Sequence, residues 1–130
     1  MAIDVAAQVQ YWQDGSADDL DAARKLLATG KIRQAGFFLH LAIEKAVKAC
    51  AVAATRDLPP RSHNLLFLAE RSDLALSDDQ RDFAGRVQIY CMEGRYPTEL
   101  PAPPTKEAIA EDLDRATEMI QWLTNQLNKP

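Results

Sequence analysis

The stretch KIRQAGFFLHLAIEKAVKACAVAA, residues 31–54, decides the fold class of this chain. Its apolar residues recur every three or four positions, which is the period of an α-helix. One face is almost wholly apolar, and we expect it in the core: Ile32, Ala35, Leu39, Ala42, Ile43, Ala46, Cys50 and Ala53. The opposite face mixes apolar and charged residues: Arg33, Phe37, His40, Leu41, Glu44, Lys48 and Ala51. A helix that is apolar on nearly every side is central in its bundle or shared with a partner subunit.

Helical periodicity continues toward the N-terminus, where it predicts a helix from about residue 4 to 28, ending at Gly30. Its apolar residues follow helical spacing: Val5, Val9, Trp12, Leu20, Ala23 and Leu27. Gly15-Ser16 is the weak point, because Ser16 followed by Asp19 has the pattern of an N-cap that would start a second helix. We expect one continuous helix.

Toward the C-terminus the chain is punctuated by turn and cap signals. Pro59-Pro60 removes two amide donors and makes residues 56–61 a loop. We expect Ser62 to cap a short third helix with apolar residues at Leu65, Leu66, Leu68 and Ala69. Ser77 and Gln80 form a capping box for a fourth helix, whose apolar residues are Phe83, Val87, Tyr90 and Cys91.

A proline-rich connection follows Gly94 and separates the fourth helix from the last one. Its prolines, Pro97, Pro101, Pro103 and Pro104, cannot continue a helix, so we expect an ordered strap across the surface. Thr105 is the expected N-cap of the last helix. That helix has a narrow apolar stripe at Ile109, Leu113, Ala116, Ile120, Leu123 and Leu127. The opposite side of this helix is polar, so the helix should pack on one side only. The polar residues are Glu107, Glu111, Asp114, Glu118 and Asn125.

The whole pattern predicts an all-α protein, because β-branched residues are sparse and no stretch alternates apolar and polar side chains. A length of 130 residues with 47% apolar and 26% charged side chains suits one domain, residues 1–130. Fifteen basic and nineteen acidic residues give a net charge of −4. Without a Lys/Arg block, this charge argues against a protein that coats duplex nucleic acid, while a local basic pocket stays possible.

Targeting and cysteine signals are weak. The N-terminus lacks a signal-peptide pattern and no stretch approaches the ~20 apolar residues needed to cross a bilayer, so we expect a cytoplasmic protein without membrane contact. Cys50 and Cys91 lack CxxC spacing and nearby paired ligands, which argues against a disulfide framework and a Cys-rich zinc site. We expect both to be buried thiols.

Motifs with a known catalytic mechanism do not occur: there is no GxGxxG, Walker loop, HExxH or GxSxG. The chain has two histidines, His40 and His63. Since no second His or Cys stands one turn away from His40, we expect a packed or interfacial side chain rather than a metal ligand. The sequence therefore predicts no metal and no cofactor.

Two features leave a structural and a functional interpretation open. His63 is expected at the first position of the short helix, near Arg56 and Arg61, where a helix N-terminus and positive charge can hold an anion. It can equally pack or hydrogen-bond only to fix the loop. Glu44 and Lys48 stand at i and i+4 with apolar neighbours, so the pair is expected to be partly buried, either for structure or to position a ligand.

Five short motifs carry a resemblance to a known family. They are Ala17-x-Asp19-Leu20-x-x-Ala23, Leu27-x-x-Gly30, Ala42-Ile43-Glu44-Lys45-Ala46-x-Lys48-Ala49, His63-Asn64-Leu65 and Arg95-Tyr96-Pro97. Their order and spacing resemble the HEPN domain (higher eukaryotes and prokaryotes nucleotide-binding) from about residue 8 to 127. The resemblance implies an up-and-down bundle of four long helices plus a short one, in agreement with the helices expected from periodicity.

The chain is most similar to the small stand-alone HEPN proteins that are paired with, or fused to, a minimal nucleotidyltransferase. This resemblance implies that the domain binds a nucleotide or docks the transferase, in a toxin–antitoxin-like pair. The ligand-binding positions that it implies are Glu44, Lys45, Lys48, His63, Arg95 and Tyr96. Lys48, His63 and Arg95 are donors that suit a phosphate, while Tyr96 would stack or pack.

Many HEPN proteins resemble RNA-cutting toxins, which work as dimers and use an Arg followed four to six residues later by a His. This chain departs from that pattern, because its one formal match, Arg56-x6-His63, lies in a loop and no histidine follows Arg95. We therefore expect a binding module. The alternatives are a metal-independent ribonuclease that uses Arg56, His63 and Arg95, and a pure protein-interaction scaffold. We also expect a homodimer through the mixed face of residues 31–54, at Phe37, His40 and Leu41.

Overall fold

The computed structural model describes residues 2–95 and 104–129, without the side chains of residues 92–95. These residues form five helices: α1 Val5–Ala28, α2 Ile32–Thr55, α3 Leu65–Arg71, α4 Asp78–Arg95 and α5 Lys106–Leu127. No strand occurs in the two described ranges, so the all-α prediction of four long helices and one short helix is confirmed. Apart from Pro104, the predicted proline strap falls outside the described residues.

α2 is the central helix, since it contacts each of the other four. Its apolar face forms the core with the inner faces of its neighbours, and its mixed face is covered too, because His40, Glu44, Lys48 and Ala51 are all buried. The sequence predicted either a central helix or a helix shared with a partner subunit, and the central position is confirmed. Ala53 differs from the expectation: it is exposed, because the last turn of α2 borders an open depression beside the end of α5.

α1 is one continuous helix, as predicted, and its N-cap is Asp4. Ser16 does not cap a second helix: it is buried, and its hydroxyl donates to the Ala42 carbonyl of α2 at 2.7 Å. A Cβ on Gly15 would lie 2.9 Å from Cδ of Lys45, so the absent side chain leaves room for the Lys45 stem. Gly15-Ser16 is therefore where α1 and α2 cross closely rather than a break.

The predicted caps of α4 and α5 are confirmed. The Ser77 amide donates to Oε1 of Gln80 at 2.8 Å and the Gln80 amide donates to Oγ of Ser77 at 3.1 Å, which is a reciprocal capping box. Thr105 caps α5 by accepting from the Ala108 amide. The polar face of α5 is exposed along its length, as expected.

The start of α3 differs from the prediction. Asn64, rather than Ser62, is the N-cap, because its Oδ1 accepts from the Phe67 amide at 3.1 Å. Ser62 Oγ instead accepts from the Asn64 amide, which shapes the turn before the helix. His63 therefore precedes the cap and is not the first residue of the helix.

A polar cluster around the buried carboxylate of Asp112 joins α4 to α5. Asp112 is 2% exposed and accepts both guanidinium nitrogens of Arg86, at 2.7 and 2.8 Å, together with the Tyr90 hydroxyl. The fork-to-fork geometry neutralises a carboxylate that would be costly to bury alone. This cluster sets how α4 lies against α5, and the sequence analysis did not identify it.

Both cysteines are buried free thiols, as expected, and burial raises the pKa of Cys50 to about 12. Among the described helices, none combines the length and the apolar character that a membrane span requires.

Candidate functional site

The candidate site is centred on Glu44, whose carboxylate is 3% exposed. Its Oε2 lies 3.1 Å from Nζ of Lys48, one turn along α2, and its Oε1 lies 2.9 Å from Nδ1 of His63 in the loop before α3. Contact with a carboxylate requires the proton of His63 on Nδ1. A buried carboxylate is stable only when neighbouring groups compensate its charge. Glu44 thereby holds Lys48 and His63, two other predicted ligand residues, close together.

His40 lies beneath this pair and is fully buried. Its Nε2 donates to the His63 carbonyl at 3.0 Å, so the neutral ring has Nδ1 as its acceptor nitrogen. Burial lowers the pKa of His40, against the smaller opposing influence of Glu44. The 3.9 Å approach of His40 Nδ1 to Glu44 Oε1 is therefore a contact with a neutral ring and not an ion pair.

The burial of His40 corrects the prediction that this residue lies at a dimer interface. A side chain with 0% exposure inside the chain has no surface to offer a second subunit. Phe37 and Leu41, the other two predicted interface residues, are each partly exposed on α2.

Gln88 of α4 fastens the loop to the bundle, and the sequence analysis did not identify it. Its Nε2 donates to the His63 carbonyl at 2.9 Å, and its Oε1 accepts from the Leu65 amide at 2.9 Å. With His40, it fixes the backbone on both sides of Asn64. Residue 63 is thus held from α2 at its ring and at its carbonyl, and from α4 at its carbonyl.

Trp12 of α1 closes the site on the side of Lys48. Nζ of Lys48 stands 5.2 Å from the centre of the Trp12 ring, a cation–π arrangement. Next to it is a cavity of 210 Å³ that opens under the loop and is lined by Trp12, Lys48, Leu58, Pro59, Pro60 and Arg61. The sequence analysis assigned Trp12 only to the apolar stripe of α1, because no local pattern predicts its contact with the distant loop after α2.

Lys45 points away from this cluster. Its Nζ lies 2.7 Å from Oδ2 of Asp19 in α1, an ion pair whose angles fall outside hydrogen-bond geometry. The side chain is 29% exposed and its stem crosses Gly15. The adjacent motif residues Glu44 and Lys45 therefore join α2 to two different parts of the chain, the loop and α1.

The remaining predicted residues lie at the edges of the site or beyond it. Arg56 is the C-cap of α2, in a left-handed conformation with φ 55°, and it is exposed. Arg95 is the last residue of α4, two turns after Gln88, and its side chain is outside the described residues, as is Tyr96. Among the described residues, no cluster of three or more His, Cys, Asp or Glu side chains is arranged to hold a metal ion.

The arrangement brings several charged side chains together where the loop meets α2. Lys48 and Glu44 form a buried pair, His63 presents a side chain that is 53% exposed, and Arg61 adds a guanidinium at the cavity. Hydrogen bonds from cationic donors to phosphate oxygens are among the stronger ones in proteins.

Comparison with known proteins finds solved structures that have a similar fold. No curated protein matches the chain closely enough to count as a relative. The crystal structure of TT1696 from Thermus thermophilus is similar, with a TM-score of 0.79 and 25% identity, over 91% of this chain and 97% of that one. ST0689, an archaeal HEPN homologue, is similar with a TM-score of 0.68 and 24% identity, over 92% of this chain and 97% of its own. The family model of the HEPN domain matches residues 9–127, and the chain therefore belongs to the HEPN domain family.

Proposed function

We propose that this HEPN domain is a non-catalytic binding module that holds a nucleotide where the loop of residues 56–64 meets α2. The observation that carries the proposal is the double contact of Glu44, which holds His63 beside Lys48, and Lys48 lines a cavity together with Arg61. A site that is organised before the ligand arrives loses less free energy when it binds.

The charges at this corner decide where a phosphate would bind. Glu44 offsets the charge of Lys48, and the Lys48 side chain is only 8% exposed. Arg61 is exposed, and its planar guanidinium suits bidentate contact with phosphate oxygens. The phosphate of the ligand therefore contacts Arg61 and the exposed part of His63, while Lys48 organises the site from below. Arg95 and Tyr96 stay part of the proposed site on the strength of the sequence.

Calorimetry with ATP and GTP at low and high salt tests this proposal. Binding should be modest and should weaken clearly at high salt, because an exposed ionic contact is screened over roughly 8 to 10 Å at physiological ionic strength. Arg61→Gln should lower the affinity about tenfold, the equivalent of one charged contact of about 1.4 kcal/mol. Arg81→Gln, a matched change of an exposed arginine on the first turns of α4, should leave it unchanged.

Absence of heat with either nucleotide would contradict a nucleotide-binding role and favour a domain that only docks other proteins. In that role the partner we propose is a nucleotidyltransferase, in a toxin–antitoxin-like pair. Equal losses in the Arg61 and Arg81 variants would place the ligand elsewhere on the surface.

A second candidate function, metal-independent RNA cleavage, is favoured by one observation. A buried carboxylate contacts Nδ1 of a half-exposed imidazole, which is how many general bases are oriented. Purified protein should be incubated with labelled RNA in the presence of a chelator. We expect no cleavage, since the downstream histidine of the cutting enzymes is absent; cleavage that disappears in His63→Ala would instead establish the ribonuclease.

A further inference from the structure

The cavity beside Trp12 is too small for a whole nucleotide. Its volume is 210 Å³, whereas sites that enclose a complete small-molecule ligand usually measure ≈ 300–1,000 Å³. It therefore suits one part of a ligand, a single ring system, with the rest of the molecule outside. Arg61 also lines this cavity, so an anionic group attached to a ring inside the cavity would contact the Arg61 guanidinium.

The cavity is lined by an indole ring, a leucine and two prolines, beside the cations Lys48 and Arg61. Trp12 forms one side, and its ring is held by Lys48 Nζ and by the edge-on ring of Tyr11, whose centre is 5.1 Å away. Leu58 and the two prolines line the same cavity, and prolines have little backbone freedom to lose when a ligand binds. Leu58 is 55% exposed, so its side chain is accessible to a ligand.

We propose that this cavity is a base subsite: the planar base of a nucleotide packs between the Trp12 ring and the wall formed by Leu58 and Pro60. Trp12 is then the residue that makes the domain prefer a base-bearing ligand to a plain phosphate. The inference rests on the proposed function, which supplies the phosphate contact at Arg61. Stacking accepts any base because every base has a π face, so adenine and guanine nucleotides should bind with similar affinity.

The test compares AMP with ribose 5-phosphate, which carries the same sugar and phosphate without a base. Base stacking on an aromatic side chain is worth about 1–3 kcal/mol, so AMP should bind about 5- to 150-fold more tightly. The chain has two tryptophans, so a Trp122→Phe protein reports on Trp12 alone. AMP should quench the fluorescence of that protein, and ribose 5-phosphate should not.

Three variants separate stacking from folding. Trp12→Leu should reduce AMP affinity about to the level of ribose 5-phosphate, while Trp12→Phe should retain most of it. Leu58→Ala, on an exposed loop position, should weaken AMP several-fold without changing the melting temperature. Trp122→Leu, the same change at a partly buried position outside the cavity, should leave AMP affinity unaltered.

Three results would overturn the inference in different ways. Equal affinity for AMP and ribose 5-phosphate would remove the base subsite and leave the proposed phosphate contact intact. No binding of either ligand would remove both. A folded Leu58→Ala protein and a folded Trp12→Leu protein that both bind AMP as the wild type does, with no quenching in Trp122→Phe, would also reject the role of Trp12.

Discussion

Glu44 shows how much of the candidate site depends on one side chain. It contacts Lys48 within α2 and His63 in the loop, and all three lie in motifs that carry the resemblance to HEPN domains. Because the carboxylate and the Lys48 ammonium are both buried, each requires the other to avoid an uncompensated charge. The pair of charges therefore has a structural role as an anchor of the loop, independently of the proposed ligand.

Glu44→Gln should lower the free energy of unfolding by about 3 kcal/mol, because it leaves the buried Lys48 ammonium without its carboxylate. Denaturant unfolding measures the loss. Glu118→Gln, on the exposed face of α5, should change stability by less than ~0.5 kcal/mol. In the double variant Glu44→Gln/Lys48→Met, part of the lost stability should return, and a loss that simply adds would show that the two charges are not coupled.

His40 predicts how stability depends on pH. Burial lowers its pKa in the folded protein, so the unfolded chain binds a proton more readily than the folded one. Its contribution to stability is therefore fully present above the unfolded pKa of about 6.5 and is lost as pH falls below that value, by at most about 1.4 kcal/mol per pH unit. Glu44 and His63 face the ring from α2 and the loop, and the partial attraction of Glu44 limits the effect.

Thermal unfolding at pH 7.5 and pH 5.5 measures this dependence. The wild type should lose more stability between the two pH values than His40→Gln, which keeps a donor for the His63 carbonyl and cannot take up a proton. An identical pH dependence in both proteins would mean that His40 is not the group responsible.

Among the elements, α2 differs from the other helices because it contacts each of the other four. The positions where its neighbours approach most closely are occupied by small residues. A Cβ on Gly36 would lie 3.2 Å from both Ile109 Cδ1 and Tyr90 Cγ, so α4 and α5 pack directly against the backbone there. Close packing of this kind explains a glycine in the middle of a long helix.

Gly36→Ala and Gly85→Ala form a matched pair that tests this explanation. Both glycines lie inside helices, and Ala alone would favour the helix by about 1 kcal/mol. At Gly36 the buried Ile109 and Tyr90 cannot move aside, so we expect a net loss of about 1–3 kcal/mol. At Gly85, which is exposed and whose nearest atom would be 3.9 Å away, we expect a gain of up to ~1 kcal/mol; stabilisation by both changes would contradict the close approach.

The whole domain has a partly exposed apolar surface on α2, on the same helix as the buried Glu44. The partly exposed Phe37 and Leu41 lie on the same helix as Glu44, and we propose that a second copy of the chain covers them. The bundle is complete without this contact, since the core closes around α2 in one chain. Dimerisation is therefore expected to be separable from folding.

Phe37→Asp and Leu41→Asp should dissociate the proposed homodimer, because each places a charge on an apolar contact. Light scattering at tens of micromolar protein measures the mass, and circular dichroism should show nearly unchanged helical content. Glu111→Lys, an exposed change on α5, is the control and should stay dimeric. A strictly monomeric wild type would reject the dimer, and dimers in both Asp variants would reject this face.

The sequence alone determined the features that depend on neighbouring residues. The all-α class, the five helices and the caps at Ser77 and Thr105 were predictable, because periodicity and capping are local properties read over a few turns. The close spacing of Glu44 and Lys48 likewise predicted their pairing. The cap at Ser62 was wrong because Ser62 and Asn64 are both good caps, and local preference does not choose between them.

The tertiary structure decided which distant residues meet. The contact of Glu44 with His63 spans 19 positions, and the contacts of Gln88 with residues 63 and 65 span 25 and 23. The Trp12 cavity, the Asp112 cluster and the burial of His40 arise in the same way, from the choice of the helix faces that pack together. That choice depends on the complementary shapes of whole helices, which no short window of sequence contains.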